Sequence, residues 1–207
     1  SLQAKKSKYS FSQFLKRFSI VKEEMQIDLD EFDLSYYTYG MSIYKNMPLI
    51  EPLETKEVKK IYEFVIVLDT SYSIDENLAK RFISNTYSIL STSNMFYKSC
   101  KVHIIQCDDR IRKDDVISNQ NEMDQLLNSF TLVGKGNTDF RPVFSYVNDL
   151  IDQKVFQNLC GLLYFTDGKG IYPKKSPAYK TAFIYLEDYD QSKVPSWAIQ
   201  YRLEEKL

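Results

Sequence analysis

The 207-residue sequence predicts an α/β fold: a three-layer sandwich on a mostly parallel sheet with an antiparallel edge strand, preceded by an N-terminal extension. Three observations carry this expectation. Wholly apolar runs such as "FVIVL" and "GLLYF" recur between turn residues, the pattern of buried strands. Segments of helical period alternate with them, the arrangement that covers both faces of a parallel sheet. A hydrophobic share of 43% with 16 Tyr and 13 Phe furnishes the core of one full-sized domain with a shorter extension.

Residues 1–60 are expected to form an amphipathic helix and an extended segment packed on the core, and residues 61–207 the α/β domain. In "KKSKYSFSQFLKRFS", Phe11, Phe14, Leu15 and Phe18 fall at helical spacing among Lys and Arg; the basic face reads as solvated surface above a docked apolar stripe. Further on, "YYTYGMSIY" reads as extended chain around Gly40, and "NMPLIEP" as a proline-interrupted segment. "IYEFVIVL" is a buried strand, and Asp75 to about Met95 a helix whose acidic first turn suits the helix dipole. "KVHIIQC" is a second strand, and "DDRIRKDDVI" a turn and edge strand in hairpin relation to it. "NEMDQLLNSF" is a short helix, "TLVGKGNTD" a loop, and "FRPVFSYVNDLID" a helix with Pro142 tolerated in its first turn. "NLCGLLYF" is a strand, "TDGKGIYPKKSP" a long loop, "KTAFIYLE" a strand, and "VPSWAIQYRL" a final strand or short helix.

Charge is nearly balanced, with 27 basic and 28 acidic residues, so neither nucleic acid nor an anionic membrane is an expected partner. The three cysteines, Cys100, Cys107 and Cys160, lack metal-type pairing and read as reduced thiols. The chain opens without a signal-peptide pattern and has no apolar run near the roughly 20 residues that span a bilayer, so a soluble cytoplasmic protein is expected. His103, the single histidine, lies in an apolar strand and reads as a satisfied core or sheet-face residue.

Loops at the carboxyl ends of parallel strands form the ligand crevice of such a fold, and three of them here carry oxygen donors. The first has Asp69, Ser71 and Ser73; the second Thr138 and Asp139; the third Thr166 and Asp167. Four of the six glycines, Gly134, Gly136, Gly168 and Gly170, fall in the latter two loops. Carboxylates and hydroxyls without His or Cys suit a hard cation such as Mg²⁺, which takes one or two protein carboxylates and keeps some waters. Asp139 reads instead as a cap for the helix after it, and Asp108 and Asp109 as a hairpin turn. Lys169 reads as an exposed loop lysine.

Asp69-Thr70-Ser71-Tyr72-Ser73, Thr138 in "GNTDFRP" and Asp167 in "FTDG" together resemble the von Willebrand factor A (VWA) family, whose fold is Rossmann-like. The resemblance implies a metal-ion-dependent adhesion site (MIDAS) formed by Asp69, Ser71, Ser73, Thr138 and Asp167, with Mg²⁺, or Mn²⁺ or Ca²⁺, as cofactor. Tyr72 stands where many members have Gly, and Asn137 where a second Gly often stands. The stretch from "EEMQIDLDEFDLSYYTYG" to "IEPLE", with "HIIQCD", "FRPVF" and "VPSWAI", is similar to the VWA-like module that follows a predicted metallopeptidase-like domain in bacterial proteins. That likeness implies work beside an AAA+ ATPase. No peptidase activity is assigned, because a His-rich zinc motif is absent from the sequence.

The function expected is therefore a non-catalytic module that binds a protein partner, whose Asp or Glu completes the metal shell. Two alternatives stand beside it: a metal-dependent phosphoryl-transfer enzyme using Asp69, and a scaffold with a vestigial site. Ser71 occupies the place where a haloacid-dehalogenase-type phosphatase needs its second Asp, so the proton donor of that chemistry is missing. "GKGNTD" does not supply a phosphate-binding P-loop.

Overall fold

The computed structural model describes residues 10–45, 47–71, 74–92, 96–186 and 188–203. They belong to two compact units, one of Ser1–Ser19 with Ile61–Leu207 and the other of Ile20–Lys60. Among the described residues no helix is long and apolar enough to cross a membrane.

In the smaller unit, strand β1 (Ile20–Phe32) pairs antiparallel with the first half of β2 (Pro52–Asp69), from Ile20 opposite Lys60 to Phe32 opposite Pro52. Helix α2 (Leu34–Tyr44) lies between them in sequence, where extended chain is expected from the tyrosines. The cap decides the conformation: the Asp33 carboxylate accepts from the N–H groups of Ser35 and Tyr36, at 2.7 and 3.4 Å. Two of the donors a helix start leaves unpaired are thereby satisfied, which outweighs the β preference of Tyr. The helix stops at Lys45, in left-handed conformation (φ 58°), whose N–H returns to Met41 O.

The larger unit is built on a sheet of order β4-β3-β2-β5-β6-β7. Its strands are β3 (Phe96–Cys107), β4 (Ile111–Ile117), β5 (Leu159–Thr166), β6 (Thr181–Tyr185) and β7 (Ile199–Arg202) around the second half of β2. All pairings are parallel except β3 with β4. This is the mostly parallel sheet with one antiparallel edge strand that the pattern of apolar runs predicts, and the last segment resolves as a strand.

Alternation along the strands sorts the core into two faces. Val65, Val67, Ile105, Leu162, Tyr164 and Phe183 share one cluster with Val143, Phe144 and Val147 of helix α5 (Arg141–Asp152). The intervening residues face the other layer: Phe165 stacks on Phe82 of helix α3 (Glu76–Thr92) with centroids 4.2 Å apart, and Phe64 meets Phe18 edge-on. Phe11, in helix α1 (residues 10–15), and Phe18, in the short 3₁₀ turn Lys16–Phe18, are fully buried in this unit. The basic amphipathic segment thus docks its apolar stripe in the larger unit's core. The remaining helix, α4 (Gln120–Asn128), begins with a reciprocal capping arrangement in which Asn119 accepts from Glu122 N and Glu122 accepts from Ser118 N.

Topology fixes the position of the crevice. The chain runs from β2 through α3 to β3 on one side, then returns through α5 to β5 on the other. Loops leaving β2 and β5 therefore diverge, and the carboxyl end of β2 is the topological switch point, where open α/β sheets bind ligands.

Candidate metal centre

Asp69 is the last residue of β2 and is fully buried. Its Oδ1 accepts from Ser71 N at 2.9 Å, closing a tight turn, and its Oδ2 accepts from the Thr166 hydroxyl at 2.6 Å. Burial pushes the Asp69 carboxyl above its usual range; the hydrogen bonds from Thr166 and Ser71 pull it back in part, and the nearby Asp167 charge pushes it up again. Among the described residues no Lys, Arg or His pairs with Asp69.

Asp167 follows β5 and is buried. Its Oδ1 accepts from Lys169 N at 3.0 Å, and Lys169 Nζ stands 3.4 Å from Oδ2. Gly168 between them is left-handed (φ +83°), and a Cβ there would lie 3.0 Å from both Tyr185 and Tyr189. The turn that folds Lys169 back over Asp167 therefore calls for glycine. Gly168 N donates to the Thr166 hydroxyl at 3.1 Å, so one threonine joins the first loop to the third.

The loop before α5 closes on both. Lys135 N donates to Thr70 O at 2.8 Å, tying it to the loop after β2. Asp139 bridges to Ile171, and Phe140 N donates to Ile171 O at 3.1 Å, tying it to the loop after β5. Thr138, half-buried, sits within this closure against Gly170. Of the five expected ligands, then, Asp69, Ser71, Thr138 and Asp167 lie in three loops joined to one another at the switch point. Ser73, like Tyr72, lies outside the described residues.

Two residues outside the expected set frame this centre. Thr166 is one, through its bridging hydroxyl. The other is Asp108, which serves the β3–β4 turn as expected by accepting from Asp109 N and Arg110 N, but does more. Fully buried, it takes a forked ion pair from Arg112 at 2.7–2.9 Å, accepts from Gly136 N at 3.1 Å, and receives Asp139 N on its backbone O at 3.0 Å. Burial alone would raise the Asp108 carboxyl; the Arg112 fork and the turn N–H groups overcome it and hold the carboxyl far below its usual range. A Cβ at Gly136 would stand 2.8 Å from Asp108 Oδ2, so glycine permits the approach. Arg112, four residues on, is the sequence signal for an ion pair here; the contact with Gly136 has no local sign.

Asp139 accepts from Arg141 N at 2.9 Å and pairs with the Arg141 guanidinium at 2.6 Å, which lowers its carboxyl. The N-cap itself is Phe140, without a side-chain cap, so Asp139 closes the turn one residue ahead of it and does not cap the helix as expected. His103 is satisfied, though by a carboxylate the local pattern does not reveal: Nδ1 lies 3.0 Å from Asp114 across the β3–β4 hairpin, and Tyr146 donates to the same Asp114 at 2.9 Å. Cys100, Cys107 and Cys160 are buried free thiols.

Chemically, the centre combines two buried acids with hydroxyls, and among the described residues its deeper acid, Asp69, is held by neutral donors. That donor set fits a hard divalent cation. Among the described residues, no group of three or more His, Cys, Asp or Glu side chains is placed to hold a metal, so a cation here depends on hydroxyl oxygens.

A parallel-sheet α/β domain with an oxygen-lined crevice at its switch point is the class that the fold and centre define. The profile of the VWA-like domain family (DUF2201) matches residues 64–204, and the chain belongs to that family, a class that often mediates protein interactions. No curated protein matches the chain. Among solved structures it is similar to a von Willebrand factor type A protein from Catenulispora acidiphila, with 9% identity, TM-score 0.49, and 72% of this chain covering 40% of that one. It is also similar to the SpRpn10 VWA domain, with 7% identity, TM-score 0.46, and 70% of this chain covering 89% of that one. A third is the ArnB paralog VWA2 from Sulfolobus acidocaldarius, with 15% identity, TM-score 0.44, and 89% of this chain covering 51% of that one. The chain thus spans about two fifths of the length of the first of these.

Proposed function

We propose that this chain is a non-catalytic binding module that engages a protein partner through a divalent cation at the β2 switch point. The observation that carries the reading is the closure of three oxygen-bearing loops around Asp69, a buried carboxylate with a second acid nearby and, among the described residues, no cation paired with it. Ser71, Ser73 and Thr138 would hold Mg²⁺, Mn²⁺ or Ca²⁺ through their hydroxyls, with Asp69 and Asp167 supplying charge directly or through water. The bound ion supplies an open coordination position that attracts an Asp or Glu of the partner. An AAA+ ATPase is the partner class that the sequence resemblance implies, and the surface around the crevice sets specificity. The sequence favours this reading over phosphoryl transfer, because Ser71 stands where that chemistry needs a second Asp as proton donor.

Titration calorimetry and thermal melting with Mg²⁺ and Mn²⁺ test the site. Binding stabilises the native state by about 2.7 kcal/mol at a metal concentration 100-fold above Kd, and Asp69→Asn and Thr138→Ala abolish or strongly weaken that gain. Neither heat nor a thermal shift at millimolar metal would leave a scaffold. Metal-dependent phosphatase turnover lost in Asp69→Asn would make the chain an enzyme instead.

A further inference from the structure

Lys169 engages both oxygens of Asp167, its N–H at 3.0 Å from Oδ1 and its ammonium at 3.4 Å from Oδ2. The two partners differ sharply in solvation: the Asp167 side chain is 7% exposed and the Lys169 side chain 72%. The left-handed Gly168, pressed against Tyr185 and Tyr189, fixes the backbone turn that brings the lysine back. Asp167 in turn acts electrostatically on Asp69. Among the described residues, Lys169 is the one cation paired with either acid of the crevice.

We infer that Lys169 is a tethered counter-ion of the Asp69 and Asp167 pair, which an entering divalent cation displaces from Asp167 and which thereby sets the affinity of the centre for metal. The inference rests on the metal-site reading above. Two like charges cannot share one buried carboxylate without mutual repulsion, and the lysine is the mobile partner: its stem is in water, so its head reaches solvent by rotation of the side chain alone. The exchange is uneven in strength, since the ammonium holds one carboxylate from the solvent side, where its own hydration keeps the pair weak, whereas a divalent ion draws on both acids and the hydroxyls together. Lys169 therefore competes without blocking. A pair of that strength corresponds to a competition of up to about fivefold in apparent affinity.

Calorimetry with Mn²⁺ on the full chain, comparing wild type with Lys169→Met and Lys169→Arg, decides it. Lys169→Met, which keeps the stem and removes the charge, binds Mn²⁺ up to about fivefold more tightly, while Lys169→Arg stays near wild type; without metal, Lys169→Met melts lower than wild type by at most about 4 °C, because the pair it loses belongs to the metal-free state. A wild type silent to Mn²⁺ beside a Lys169→Met protein that binds overturns the weak competition, because the lysine would then block the centre. Equal or weaker binding by Lys169→Met, with wild type binding normally, overturns the inference and leaves the metal site standing. Failure of every variant to bind overturns both.

Discussion

Thr166→Val isolates the bridge between the first and third loops. Valine keeps the shape of the fully buried threonine and deletes one oxygen, which donates to Asp69 Oδ2 at 2.6 Å and accepts from Gly168 N at 3.1 Å. The first bond, to a buried carboxylate, is worth about 1.5–3 kcal/mol and the second about 1 kcal/mol, for a total near 3 kcal/mol. In a chain of this size that lowers Tm by roughly 6–12 °C. Urea unfolding measures the loss as a fall in midpoint at unchanged slope. The loss also depends on pH, and its sign follows from Asp69. Burial raises the folded carboxyl above its ordinary 3.8, so ionising it costs stability as pH rises from 3.8 through the folded value; the Thr166 hydroxyl offsets part of that cost. The variant's deficit is therefore full above the folded pKa of Asp69 and shrinks as pH falls through it. A deficit below about 1 kcal/mol at neutral pH, or one that does not shrink as pH is lowered to 3.8, would refute the bridge as the main support of Asp69.

Asp108→Asn loosens the loop that carries Thr138: Tm falls by about 5 °C, and amide exchange at Gly136 and Asp139 accelerates, as nuclear magnetic resonance would detect. Because the Asp108 carboxyl is held below 3.8, its stabilisation is present above that pH and is lost as pH falls toward the depressed value, so the variant has a flatter acid limb in a pH-stability profile. Phe11→Ala removes a fully buried ring in contact with Phe82 and Tyr201, with centroids at 6.2 and 5.3 Å, and costs about 3 kcal/mol in denaturant unfolding while leaving metal affinity unchanged; a loss under 1 kcal/mol would show that α1 contributes little to the core.

Sequence makes legible whatever is local. The apolar run at Phe64–Leu68 announces a strand buried on both faces, and hydroxyls and acids after β2 and β5 mark the crevice, because strand ends and turn residues carry their own composition. Long-range pairing is invisible by the same token. Thr166 and Asp69 are 97 residues apart, Gly136 and Asp108 are 28 apart, and nothing near either partner signals the other. Strand β1 and the first half of β2 are rich in charged residues and lack an apolar run, so their pairing leaves little trace in the pattern. Helix α2 is a different failure: the tyrosines around Gly40 favour strand, and a single aspartate just before them decides for helix.

The backbone ties among the three loops have a consequence for how such a centre changes over evolutionary time. Lys135 to Thr70 and Phe140 to Ile171 are joined through main-chain groups, which nearly any residue at those positions possesses. The hydroxyl at Thr138 can thus be exchanged without removing the main-chain ties that present it. The donor atoms lining such a crevice can change by substitutions that the main-chain frame barely registers, so shared architecture in a relative says less about its chemistry than the identity of a handful of side chains.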